Sequence, residues 1–179
     1  MHRALEFALV IDVTEAYALE REGYPPSEAA SLEALVYRQK HAPELFLGAY
    51  LPPSSSSDAP SLVGFITATL TAAPFLTAAS MTQHDPRGKT VCIHSVCVAS
   101  AHRRKGIALA LLREYEHRLR QANAKYALAT HADQNRYDKV ALIAHEHLIP
   151  LYQQAGYALI GASSVEHGPD PWFELHLVL

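Results

Sequence analysis

The residues best placed to do chemistry lie together in the middle of the chain. An apolar, β-branched run, Val91-Cys-Ile-His-Ser-Val-Cys-Val98, passes through Ala-Ser-Ala-His into Arg103-Arg-Lys-Gly-Ile-Ala108. The pattern changes there from strand to helix, so 103–108 reads as the start of a helix that follows a strand. Amides in a first helical turn have no partner inside the helix, and the dipole adds positive character, so an anion such as a pyrophosphate fits there. Arg103, Arg104 and Lys105 add charge, while Gly106 and the small Ala108 let a ligand approach the backbone. His94, on the strand just before, carries an imidazole that can take a proton near its ordinary pKa of about 6.5. Neither Gly-x-x-x-x-Gly-Lys-Ser/Thr nor Gly-x-Gly-x-x-Gly occurs, which excludes a Walker loop and a dinucleotide fingerprint. Gly-x-Ser-x-Gly and His-Glu-x-x-His are missing too, and His145 and His147 diverge on a helix, so neither a serine hydrolase nor a metal site is expected.

The elements that must position these groups follow from pattern. With 179 residues and 49% hydrophobic content the chain reads as one domain, 1–179, with a sizeable core. A net charge of −3 argues against nucleic acid or a membrane surface as partner. No run of about 18 apolar residues occurs and the N-terminus lacks a secretory signal, so a soluble cytoplasmic protein is expected. Cys92 and Cys97, five apart on one strand, are expected on opposite faces as reduced thiols. A strand over 5–11 precedes a helix capped by Thr14 and stopped at Gly23, and a second helix capped by Ser27 runs to about Lys40. Strands follow at 44–50 and 61–70, joined by a Pro- and Ser-rich hairpin loop at 52–60. A long connection at 71–90 then leads to the strand at 91–98. The main helix runs from about Lys105 through Leu119, with 121–138 either continuing it or irregular. A strand at 140–144, a helix at 146–155 and strands at 157–160 and 172–179 complete a mixed α/β order.

Arg103-x-x-Gly106-x-Ala108 resembles the acetyl-CoA signature Arg/Gln-x-x-Gly-x-Gly/Ala of the GNAT acetyltransferases. Other segments are similar to one branch of them, the serotonin (arylalkylamine) N-acetyltransferase family. His41-Ala-Pro-Glu-Leu-Phe-Leu-Gly48 resembles its Cys-Pro-Glu-Leu-Ser-Leu-Gly, and His84-Asp-Pro-Arg-Gly88 its His-Arg-Pro-x-Gly. Ala144-His-Glu-His-Leu-Ile-Pro-Leu-Tyr-Gln-Gln-Ala-Gly-Tyr157 resembles its Cys-Glu-Asp-Ala-Leu-Val-Pro-Phe-Tyr-Gln-Arg-Phe-Gly-Phe, and Ala18-Leu-Glu-Arg-Glu22 recurs near its start. The resemblance implies the GNAT fold, a mixed sheet of about seven strands flanked by helices. It also implies direct acetyl transfer from acetyl-CoA to a small primary amine, in a form without the vertebrate regulatory tails.

On that resemblance, the backbone of Arg104, Lys105, Gly106, Ile107, Ala108 and Leu109 beside Arg103 holds the pyrophosphate. Val96, Cys97 and Val98 pair with the pantetheine like another strand. An alkylamine with a pKa of about 10 must lose a proton before attack, and His94 is the base. The vertebrate family carries a second histidine where this chain has Cys92, whose thiol is a poorer relay with a reference pKa of about 8.5. Tyr152 matches the tyrosine that protonates the departing thiolate. Pro43 and Trp172 are expected in the amine pocket, and Trp172 equally reads as closing the core. Glu20 and Glu22 could attract a cationic amine, Glu22 beside Gly23-Tyr24 being the one expected to face the substrate pocket, although both read more simply as solvated helix charges. A polyamine or other aliphatic amine acceptor, and a non-catalytic acyl-CoA-binding protein, are the competing readings; an acidic pocket would favour polyamines.

Overall fold

The computed structural model describes residues 4–53, 59–130 and 135–179. Seven strands form one mixed sheet in the order β1-β2-β3-β4-β5-β7-β6. They are β1 (Glu6–Leu9), β2 (Phe46–Leu51), β3 (Ser61–Thr71), β4 (Thr90–Val98), β5 (Lys139–Ala144), β6 (Ala158–Ala162) and β7 (Phe173–Val178). Helices α1 (Val13–Gly23) and α2 (Leu32–His41) cover one face; α3 (Ile107–Thr130) and α4 (Ile149–Gln154) cover the other. The resulting layers bury Phe46, Phe65 and Leu35 under α1 and α2, and Ile66, Leu70 and Leu142 under α3 and α4. Fully burying a side chain of that size contributes about 1.5–3 kcal/mol. Among the described residues no helix is long and apolar enough to cross a membrane.

Several boundaries differ from the sequence expectation for local reasons. Asp12, not Thr14, caps α1: its carboxylate accepts the Thr14 N–H at 2.9 Å. Ser31 rather than Ser27 caps α2, accepting the Ala34 N–H at 3.1 Å. Residues 27–30 are held out of the helix because Glu20 takes the Ala30 N–H and His145 takes the Glu28 carboxylate. Pro43–Leu45 forms a short 3-10 turn before β2. The ambiguous segment after residue 120 continues α3 to Thr130, where buried Asn123 exchanges two hydrogen bonds with the Tyr137 backbone. Part of the serine-rich loop, 54–58, and residues 131–134 lie outside the described residues. In the 71–90 connection, His84 accepts the Leu70 N–H, and Gly88 packs so closely on Thr71 that a Cβ would lie 2.4 Å from its carbonyl carbon. That segment therefore ties off the end of β3.

Two irregularities in β4 shape the cavities on either side of the strand. Thr67 pairs with Ser95 and Ala68 with Ile93, so His94 is an extra residue in the ladder, a β-bulge. Directly opposite residues share a face; Thr69 pairs with Cys92, Thr67 with Ser95 and Phe65 with Cys97. Cys92 and Cys97 therefore lie on the same face, contrary to the expectation from simple alternation, because the bulge resets it. Four residues of strand still separate them by about 13 Å, beyond disulfide reach, and both are free. The second irregularity is on the other edge. β4 pairs in parallel with β5 only from Thr90 to Cys92, so its C-terminal half has no strand beside it there.

Candidate active site

A cavity of about 750 Å³ opens along that unpaired half of β4. Its walls include Val96, Cys97 and Val98 on the strand, Arg103, Arg104, Gly106, Ile107, Ala108 and Leu109 at the start of α3, and Tyr152 on α4. The sequence-derived cofactor residues thus converge on one space, apart from Lys105, whose ammonium turns away to the Ala101 carbonyl at 2.8 Å. Leu148 and Leu151, which read as core, also line it.

The turn into α3 is built to present amides. Arg104 and Gly106 both adopt left-handed backbone, with φ of 60° and 79°, and such turns gather successive N–H groups into an anion-binding concavity. The first bond of the helix, Ala110 N–H to the Gly106 carbonyl, leaves the preceding amides without helical acceptors. A Cβ built on Gly106 meets nothing within 4 Å, so the space in front of it is open. Arg103 is fixed by its Nε donating to the Val98 carbonyl at 3.1 Å. These features fit a pyrophosphate.

A second cavity of about 290 Å³ lies on the other side of β4, lined by Thr69, His94 and Ser95 of the sheet and by Glu20, Glu28 and Arg38. Its neighbours in the wall include Tyr37, Met81 and His167. The His94 Nε2 sits 2.7 Å from Thr69 Oγ1, while its Nδ1 has no protein partner. Burial, then the charge of Arg38, push the imidazole well below its ordinary value, so it is neutral at pH 7. Cys92 lines neither cavity, and burial pushes its thiol up to about 12, which takes it out of any proton path at neutral pH.

Adjacent residues of β4 line the two cavities, Ser95 the smaller and Val96 the larger. Two side chains from α1 and the turn after it bond to this stretch of β4. Glu20 is only 1% exposed and its carboxylate accepts the Ala30 N–H at 2.8 Å, the Ser95 hydroxyl at 3.1 Å and the Cys97 thiol at 3.2 Å. Its reading as a solvated charge is corrected: Val13, Ala16 and Glu20 are the buried stripe of α1. The Tyr24 hydroxyl accepts the Val96 N–H at 3.3 Å and donates to the Val96 carbonyl at 3.5 Å. It occupies main chain that the family resemblance assigned to pantetheine. Tyr152 lies on the large-cavity side, its ring edge-on to Tyr157, and burial followed by the Cys97 thiol pushes its phenol above its ordinary range.

The remaining sequence candidates sit elsewhere. Glu22 is exposed and lines neither cavity; its carboxylate accepts the Ser100 N–H at 3.0 Å, and the Ser100 bonds hold it below the usual carboxylate range. Pro43 is exposed in the 3-10 turn before β2, also outside both cavities. Trp172 is buried behind the second cavity, its ring 3.9 Å from that of His145 and its N–H donated to the His167 carbonyl. It backs the pocket wall rather than lining it. Glu28 joins this group: 6% exposed, it bonds His145 at 3.0 Å and its carbonyl meets His167 at 2.9 Å. Tyr24, Glu28 and Arg38 were not assigned roles from sequence, and Glu20 was assigned only an attraction for a cationic amine. A charged residue on the buried stripe of α1 or α2 was the signal available for Glu20 and Arg38.

A layered α/β fold whose central strands splay beside a helix start rich in free amides defines a class of acyl-CoA-dependent transferases. Residues 13–157 match the acetyltransferase (GNAT) family, and the chain belongs to it. It is an acetyl-CoA-dependent N-acetyltransferase. A curated serotonin N-acetyltransferase of Mesocricetus auratus is 26% identical over 171 residues, covering 94% of this chain and 73% of that protein. Among solved structures, the loading GNATL domain of CurA from Lyngbya majuscula aligns with a TM-score of 0.73 at 13% identity, covering 98% of each chain. Arabidopsis thaliana NAA60 in complex with acetyl-CoA aligns at 0.70 and 16% identity, covering 98% of this chain and 100% of the other. At these identities the solved structures speak for the fold.

Proposed function

We propose that the whole chain is one acetyltransferase domain that acetylates the primary amine of a small arylalkylamine-type acceptor by direct attack, the amine seated in the 290 Å³ cavity. The observation that carries this reading is the pair of cavities lined by neighbouring residues of β4, with His94 in the smaller and Tyr152 in the larger. Acetyl-CoA supplies a thioester carbonyl that an amine lone pair attacks, with the CoA thiolate leaving. The amides of 104–109 and Arg103 bind its pyrophosphate. Tyr24 must leave Val96 for that strand edge to be fully used.

An ammonium of pKa about 10 carries no lone pair, so the acceptor proton has to be removed. His94, neutral and with Nδ1 free when Nε2–H is donated to Thr69, accepts that proton directly or through water. Its depressed basicity means that it needs a counter-charge once protonated, and the Glu20 carboxylate shares its cavity. Tyr152 stays protonated because burial disfavours the phenolate, and it donates to the departing thiolate. The arylalkyl preference is supported by the serotonin N-acetyltransferase relative and by Tyr37, Met81 and His167 in the acceptor wall. A polyamine is disfavoured by the Arg38 cation in the same wall. Steady-state acetylation of tryptamine, phenylethylamine and spermidine tests this: turnover of the first two above spermidine is expected. No turnover of any amine by protein that still binds acetyl-CoA would overturn it.

A further inference from the structure

The acceptor cavity holds a cation that acetyl transfer to a plain amine leaves unused. Arg38 follows Leu35 on the buried stripe of α2, is 8% exposed and lines this cavity. Its Nη1 has no hydrogen-bond partner. Among the described residues no carboxylate lies within ion-pair distance of it. The two acids that share the cavity are already engaged. Glu20 serves Ala30, Ser95 and Cys97, and Glu28 serves His145. A guanidinium held away from water with an unmet donor is costly unless something supplies an acceptor. The cofactor does not fill that need, because its amide cradle lines the other cavity.

We propose that Arg38 binds a carboxylate on the acceptor, so that the preferred acceptor is an amino acid of the arylalkyl type rather than the matching amine. This rests on the N-acetyl transfer to a small amine in the same cavity proposed above. The planar fork of a guanidinium matches a carboxylate with two parallel N–H donors, and the acetylated nitrogen lies one carbon away from that group in an amino acid. The cavity then offers both halves of a zwitterion a partner: Arg38 for the carboxylate, and the unpartnered His94 Nδ1 for the ammonium proton. A polyamine would bring a second cation to Arg38 with no anion to offset it, and a plain arylalkylamine would leave the guanidinium unpaired.

Matched acceptors separate this from the reading beneath it. With the full-length protein, kcat/KM is measured for phenylalanine, phenylalanine amide and phenylethylamine, and for tryptophan against tryptamine. The acids are expected to exceed their counterparts without the carboxylate by about 10- to 100-fold, the range of one charge-assisted hydrogen-bonded pair. In Arg38→Gln that ratio should collapse to near one, chiefly through KM, and Arg38→Lys should restore part of it. Because the readout is a ratio, a general loss of activity in the variant does not imitate the effect. On the unaltered protein, 3-phenylpropionate should inhibit competitively against the acceptor and not against acetyl-CoA, which keeps the test independent of how well the variants fold. Equal turnover of acids and amines, no inhibition by 3-phenylpropionate, or a ratio unchanged in Arg38→Gln would overturn the assignment of Arg38 while leaving amine acetylation standing. No acetylation of any of these acceptors by protein that binds acetyl-CoA would overturn both.

Discussion

Replacing Glu20 with alanine would remove three hydrogen bonds at the wall between the two cavities. The Ala30 N–H, a backbone donor, is left unmet, at a cost of about 1–3 kcal/mol. The Ser95 hydroxyl can rotate toward another acceptor and the Cys97 thiol is a weak donor, so together they add about 1 kcal/mol. The change also removes the desolvation cost of a buried carboxylate, which offsets part of the loss. A net destabilisation of about 1–3 kcal/mol follows, or a fall in Tm of about 2–12 °C for a chain of this size. Glu20→Gln keeps the Oε1 acceptor for Ala30 and Ser95 and gives up only the partner of Cys97, so about 1 kcal/mol is expected. Urea unfolding of the two variants beside the parent protein, with the slope m unchanged, measures both. If Glu20→Ala lies within about 0.5 kcal/mol of the parent, the carboxylate does not hold α1 to β4 and the reasoning fails. Equal losses in the two variants would place the effect on the charge instead of the acceptor geometry.

Gly106→Ala meets no atom within 4 Å, so its cost is the left-handed backbone at φ 79°, about 1–2 kcal/mol, together with weaker acetyl-CoA binding from a methyl facing the cradle. Isothermal titration against acetyl-CoA and a thermal melt check it, and unchanged affinity would remove the amides of this turn from cofactor binding. For His94, the folded pKa lies well below the unfolded value of about 6.5, so the unfolded chain binds more protons below that pH. Its contribution to stability is therefore fully present above about pH 6.5 and is lost as pH falls from there toward the folded pKa, by up to about 1.4 kcal/mol per pH unit. The acid limb of kcat/KM should likewise lie well below the ordinary histidine range, and a limb at pH 7 that persists in His94→Ala would point to another base.

Periodicity and turn chemistry placed all seven strands and the main helix in the right order, the long apolar runs of β3, β4 and α3 being the clearest and the short β1 and β6 being marked by the breaks around them. The turn that gathers free amides at the start of α3 beside a cavity was legible from residue types, with Gly106 and Ala108 marking the place. The acceptor side was not. His94 was picked out through the family resemblance, yet the bulge that sets His94 and Ser95 side by side depends on the register against β3, which no local pattern encodes. The same bulge placed Cys92 and Cys97 on one face. Glu20 and Arg38 read as surface charges by residue type, and only the packing of α1 and α2 on the sheet turns them inward. The Ser31 cap was hidden because Ser27 offers equal chemistry, and long-range bonds to Glu20 and His145 decide between them.

In the mechanism proposed above, acetyl transfer takes place beside the Ser95–Val96 stretch of β4, with Tyr152 protonating the leaving thiolate. Single-turnover acetyl transfer by Tyr152→Phe, with acetyl-CoA affinity measured on the same protein, is the sharpest check on it. Transfer slowed by about 10- to 100-fold is expected, with affinity for acetyl-CoA within about threefold of the parent. A transfer rate equal to that of the parent protein would refute the role of Tyr152 and with it this placement of the reaction.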